Sequence, residues 1–176
     1  GRLNERPVVL DGRIAIKMPS NDDPMNFAVE DLRAEIGATL INANLSRQGQ
    51  SPIIGSALIA SNDISDLAAL ALQDASGQLN GEVDFLDTSG VQTVSANLAA
   101  RQLTSEFFSA QSLDLVGSAV NLFDRPRVGA TLNGQGIKAN QLEVPKILAK
   151  IGTAGDTSTY EVQASITRFN TRLAAN

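Results

Sequence analysis

Apolar and polar residues alternate in run after run of this chain. A period of two belongs to strands, because successive side chains on an extended backbone point to opposite faces. From Val8 to Met18 the even positions are Val8, Leu10, Gly12, Ile14, Ile16 and Met18, and the odd ones are Val9, Asp11, Arg13, Ala15 and Lys17. Phe27, Val29, Leu32, Ala34 and Ile36 alternate with one slip between Val29 and Leu32. A slip flips the apolar set unless a bulge absorbs it, so Glu30-Asp31 is expected to be one. Ile41, Ala43 and Leu45 resume the pattern, the polar run Ser46 to Ser51 around Gly49 makes a hairpin connection, and Pro52 to Ala60 is a further short strand.

Later runs behave alike. Leu79, Gly81, Val83 and Phe85 face inward with Glu82 and Asp84 outward, Asp87-Thr88-Ser89-Gly90 turns the chain, and Val94, Ala96, Leu98 and Ala100 return. Leu113, Leu115 and Gly117, then Val120 and Leu122, lead to a turn at Asp124-Arg125-Pro126-Arg127 and on to Val128, Ala130 and Leu132. Tyr160, Val162, Ala164 and Ile166 close the series, with Phe169, Thr171 and Leu173 after another slip. Asp22-Asp23 before Pro24 reads as turn chemistry rather than a metal or acid/base pair, and Arg125 and Arg127 around Pro126 read as solvated turn residues rather than an anion clamp.

One stretch breaks the pattern. In Asn62 to Phe85, Ile64, Leu67, Ala68, Ala71, Leu72 and Ala75 fall at helical spacing, with Asp63 placed to cap, Asp66 in the first turn and Gly77 as a stop. The spacing predicts one short helix over 63–75. Leu70 widens its apolar arc, so the helix needs apolar cover on more than one side.

Phe27-x-Val29-x-x-Leu32-x-Ala34-x-Ile36-Gly37 recurs as Leu142-x-Val144-x-x-Ile147-x-Ala149-x-Ile151-Gly152, slip included. Phe108, Ala110, Leu113 and Leu115 form a looser copy, and Leu98/Leu132 and Leu103/Ile137 keep step 34 residues apart. The expectation is a mainly β chain: a long antiparallel meander curled into a U-shaped sheet with an apolar interior. It is a single β-rich segment over residues 1–176, with sub-units 1–61 and 77–176 separated by the helix. Because the chain begins at Gly1 and ends at Asn176 without a polar tail, it reads as part of a longer protein.

Composition narrows the function. The net charge is −5, aromatic residues make up 4%, and neither Cys nor His occurs among the 176 residues. A chain with no basic cluster and few rings to stack on bases is poorly suited to nucleic acid or to an anionic membrane surface. Without Cys and His it lacks thiolate chemistry, the usual general base and the commonest metal ligand, and no cofactor is expected. An enzymatic reading would rest on paired acids such as Asp63/Asp66 or Asp84/Asp87; the first pair suits a helix cap and the second straddles a strand end. No catalytic or metal site is assigned.

Asp63-Ile64-Ser65-Asp66-Leu67-Ala68-Ala69-Leu70 through Ala75-Ser76-Gly77-Gln78-Leu79-Asn80-Gly81-Glu82-Val83 resembles the D-L-x-x-L-A-x-L … L-x-G-x-L-x-G-x-V pattern of the TamB family. These are AsmA-like, repeating-β-groove proteins of Gram-negative envelopes. Leu98 to Leu103, Leu113 to Gly117 and Val128 to Ile137 look like that family's recurrent short strands; Asp74-Ala75-Ser76 departs from it, where such proteins often carry Leu before Ser-Gly. The resemblance implies a periplasmic segment of an inner-membrane-anchored protein, a curved sheet with an apolar trough, and a barrel-assembly partner in the outer membrane. It also implies phospholipid transport and outer-membrane protein assembly, with no catalytic residues to carry over.

Independently, a meander whose strands each have one apolar face must cover that face, at ~25 cal/mol per Å². The expected acyl-chain lining is Ile14, Ile16, Val83, Phe85, Leu98, Leu113, Leu115, Leu122, Val128, Leu132, Val162 and Ile166, the same residues that would form an ordinary core. No convergent polar group points to head-group recognition. The alternative is an interaction module that captures strands of a barrel precursor or partner at an open sheet edge.

Overall fold

The computed structural model describes residues 2–3, 6–17, 26–121, 125–140, 142–153 and 160–167. Its strands are β1 (Arg2–Leu3), β2 (Arg6–Lys17), β3 (Asn26–Ile36), β4 (Thr39–Arg47) and β5 (Ile54–Ser61), then helix α1 (Ser65–Leu70). After the helix come β6 (Ala75–Thr88), β7 (Val91–Ser105), β8 (Phe108–Val120), β9 (Arg127–Ala139), β10 (Leu142–Thr153) and β11 (Tyr160–Thr167). Strands β2 to β11 form one antiparallel meander in chain order, and β1 adds a two-residue ladder beside the start of β2. The sheet does not close into a barrel: β1 and β11 stand at opposite ends of the strand order. The mainly β, single-meander expectation is what the chain adopts.

Local chemistry explains the short connections. Ser89 and Gly90 both have positive φ between the paired ends Thr88 and Val91, the backbone of a two-residue hairpin turn that matches strand twist. β3 and β4 are joined as tightly, through Gly37 at φ 56° and Ala38.

The slip at Glu30-Asp31 is a bulge. The β3–β4 register shifts between Val29 and Leu32, and Asp31 has φ 49°. Its counterpart further along is larger than the repeat suggested. Gln102, Gln111, Gly136 and Pro145 occupy the same level of β7, β8, β9 and β10, and the ladder lapses there on all four strands while the register on either side is unchanged. Leu103, Ile137 and Val144 thereby stay on the same face as Ala100, Gly134 and Ile147. The result is a crease crossing the sheet perpendicular to its strands. On β6 it ends at Gly77, where φ is 126° and the register against β7 shifts.

The crease is concave on the apolar side. A Cβ built on Gly134 would meet Ile137 at 2.6 Å, Ile147 at 2.8 Å and Leu113 at 3.0 Å, so side chains from both flanks close over this glycine. Among the described residues the buried hydrophobic side chains are Ala34, Ala43, Ala100, Ala110 and Val144, all within a few residues of a bulge or the crease. The core is therefore a thin seam of small residues, not a packed layer.

Three expectations need correction. The helix runs over 65–70 rather than 63–75: Leu72 takes φ 55°, and Ala75 is already paired with Ser105 of β7. Non-local ladder bonds claim residues that the local apolar spacing assigned to the helix. Asp63 is not the N-cap, which is Ile64; its carboxylate instead accepts from the Ser65 amide (3.0 Å) and hydroxyl (3.1 Å), which holds it below the ordinary carboxylate range. Gly77 is a strand bulge and not a helix stop. Strand β8 pairs in one register throughout, which puts Val120 on the opposite face from Leu115.

Candidate apolar trough

Register converts the alternation into continuous rows. One row reads Leu10, Ala34, Ile41, Ile59, Gly81, Leu98, Leu115, Leu132, Ala149 and Ala164, one residue from each of ten consecutive strands. A neighbouring row runs Ala43, Ala57, Val83, Ala96, Gly117, Ala130, Ile151 and Val162. On its far side lie Ile14, Val29, Leu45, Gly55, Phe85, Val94, Ala119 and Val128. The opposite face carries rows such as Asn42, Leu58, Glu82, Asn97, Val116, Thr131, Lys150 and Gln163. Ion pairs Arg101–Asp114 (2.7 Å) and Lys138–Glu143 (2.9 Å) stand on that polar side, where solvent screening leaves them little stabilising effect.

The expected lining residues can now be placed. Val83, Phe85, Leu98, Leu113, Leu115, Val128 and Leu132 are half-buried on the apolar face, near its middle. Ile14, Ile16 and Ile166 lie on the same face toward the two sheet edges and are 61%, 55% and 52% exposed. Val162 takes its place opposite Ile151, whereas Leu122 lies outside the described residues, as do Asp22, Asp23 and Phe169. The expected lining leaves out Leu10, which is 67% exposed on the same face and shares the frame of Ile14. The face is thus half-buried along its centre by side chains of adjacent strands and exposed at both flanks.

Helix α1 lies at one rim of this trough. The Ile64 amide donates to Gly77 O at 2.8 Å, the Asn62 amide donates to Ala38 O at 3.4 Å, and the Asp66 side chain stands where a Cβ on Gly37 would project. The stretch therefore spans from the β3–β4 turn to β6. No residue of the six-residue helix is fully buried. At the same rim Thr39 and Ser61, each 1% exposed, satisfy one another through a 2.7 Å hydroxyl hydrogen bond.

The opposite rim is organised by Gln92. Its side-chain carbonyl accepts from the Ile53 amide at 2.6 Å and its amide donates to Ile53 O at 3.0 Å, bridging over β6. Beside it a cleft of about 160 Å³ is lined by Arg47, Gln50, Ser51, Asn121 and Gln92 itself. The sequence hides Arg47 because the polar run from Ser46 reads as a hairpin connection; β4 continues through Arg47, and extending the frame Ile41, Ala43, Leu45 by one step lands on it.

Among the described residues no group of three or more His, Cys, Asp or Glu converges as metal ligands. No described helix is long and apolar enough to cross a membrane. Comparison of the chain with protein-family models, curated proteins and solved structures gives no match in any of the three.

Proposed function

We propose that this chain is a non-enzymatic segment of an envelope-spanning lipid conduit, in which phospholipid acyl chains lie along the apolar face of the sheet. One observation carries the reading: apolar rows continuous across as many as ten strands, with the flanking residues Leu10, Ile14, Ile16, Ile151 and Ile166 left exposed. A monomeric domain folded only to bury its own core would not leave such a face open. An acyl chain laid on it is stabilised by roughly 0.8 kcal/mol per buried CH₂. The resemblance of residues 63–83 to the TamB pattern supports the same reading, and with it a periplasmic setting, an anchor elsewhere in the parent protein and a barrel-assembly partner.

Photo-crosslinking tests it. Crosslinkers at Val83 and Leu115 are expected to capture phospholipid, and those at Glu82 and Val116 on the other face to capture none. Val83→Asp or Leu115→Arg should lower the lipid-bound fraction about tenfold with the far-UV circular dichroism of the sheet retained. Absence of lipid at all four positions would sink the proposal.

A further inference from the structure

Among strand residues with described side chains, the face in register with the trough carries two charged groups outside its bulges, Arg47 and Asp87. Both lie at the rim away from the helix. Asp87 is exposed and accepts the Gly90 amide at 2.6 Å, closing its turn. Arg47 is different. It is half-buried, it continues the row of Ile16 and Phe27, and its Nε donates to Gly49 O at 3.1 Å. Among the described residues no carboxylate pairs with it and neither Nη group has a hydrogen-bond partner. The four ion pairs on the described residues all involve other cations, so among the described residues this guanidinium is held at the trough without a counter-charge.

A guanidinium with both Nη groups open presents a planar fork that matches two oxygens of a phosphodiester. It borders the cleft walled by Gln50, Ser51, Gln92 and Asn121, and the next residue inward on its own face is Leu45. A cleft that mixes polar residues with Pro52, Ile53 and Val91, holds one cation and shares Arg47 with the apolar face has the layout of an amphiphile with a single anionic phosphate. We infer that Arg47 anchors the phosphate of a diacyl phospholipid at this rim while the acyl chains lie on the trough. The inference rests on the conduit reading and assigns it a head-group site.

The test compares a phospholipid with its dephosphorylated counterpart, so that the chains are constant and only the phosphate changes. The full chain is titrated with vesicle-borne phosphatidylcholine and with the matching diacylglycerol, and bound lipid is counted by native mass spectrometry. The chain should prefer phosphatidylcholine by about tenfold, the scale of a charged hydrogen bond made or lost. Arg47→Gln should reduce that preference to near unity without changing diacylglycerol binding, and Arg47→Lys should restore part of it. Arg127→Gln, which removes a cation at an exposed position of the other face, should leave it intact. Retention of the preference in Arg47→Gln overturns the head-group site and leaves the conduit standing, whereas no binding of either lipid by the unaltered chain overturns both. Tighter binding of palmitate than of phosphatidylcholine through Arg47 would reject the phosphate in favour of a carboxylate.

Discussion

Gln92 pairs with Ile53 as one strand pairs with another, but through its side chain. Donor and acceptor of the amide meet acceptor and donor of the Ile53 backbone, and further donations reach Leu86 O (3.3 Å) and Thr93 O (3.2 Å). At 6% exposure the amide is out of reach of water, so removing it leaves the Ile53 amide and carbonyl without replacements. Gln92→Leu is expected to lower unfolding free energy by about 1–3 kcal/mol in urea titration. A change under about 0.5 kcal/mol would show that solvent substitutes for the amide. Gln92 was invisible as a structural residue in the sequence, because a polar residue on an apolar frame reads as an exception until the backbone it satisfies is known. Thr39 and Ser61 are the same kind of case: each looks like a defect in the alternation, and together they cancel.

At the scale of elements, strands were legible and their bends partly so. The slip between Val29 and Leu32 marked the β3 bulge, and its recurrence between Val144 and Ile147 marked the β10 end of the crease. Gly77 carries the β6 end. A Cβ there would stand 2.7 Å from Gln102 O and 2.9 Å from Arg101 O, at φ 126°. Gly77→Ala is therefore expected to destabilise by about 1–3 kcal/mol. Gly129, with no atom within 4 Å of an added Cβ and no positive φ, is its control: Gly129→Ala should be neutral or stabilising by up to about 1 kcal/mol. Equal effects of the two substitutions in thermal unfolding would rule out the bulge geometry as the cause. Helix α1 was legible in existence and not in extent. Its apolar spacing continues to Ala75, yet strand pairing with β7 begins there, and only the partner strand could reveal that.

The whole molecule is a sheet with two ends. On the side of β2 away from β3, residues 9–17 have no partner strand among the described residues, and β11 pairs on one side alone, through Lys146–Thr153 of β10. Open edges are templates for strand addition, the second role considered from the sequence. The two roles separate experimentally. Proline at β11 positions whose N–H points away from β10 should abolish capture of an added strand, scored by crosslinking to a peptide partner, and should leave lipid occupancy of the trough unchanged. Loss of both together would mean that the edge is needed to hold the sheet in shape. The sequence by itself determined that the chain is a meander of one-faced strands, because alternation and turn residues are local properties that each strand states for itself. Only the tertiary structure decided that ladder breaks on four strands line up into one crease, that the helix of Asn62 to Phe85 shrinks to six residues at a rim, and that Arg47 stands on the apolar face with no counter-charge among the described residues. Each of these depends on register between strands tens of residues apart, and register is set by ladder bonds that no single strand contains.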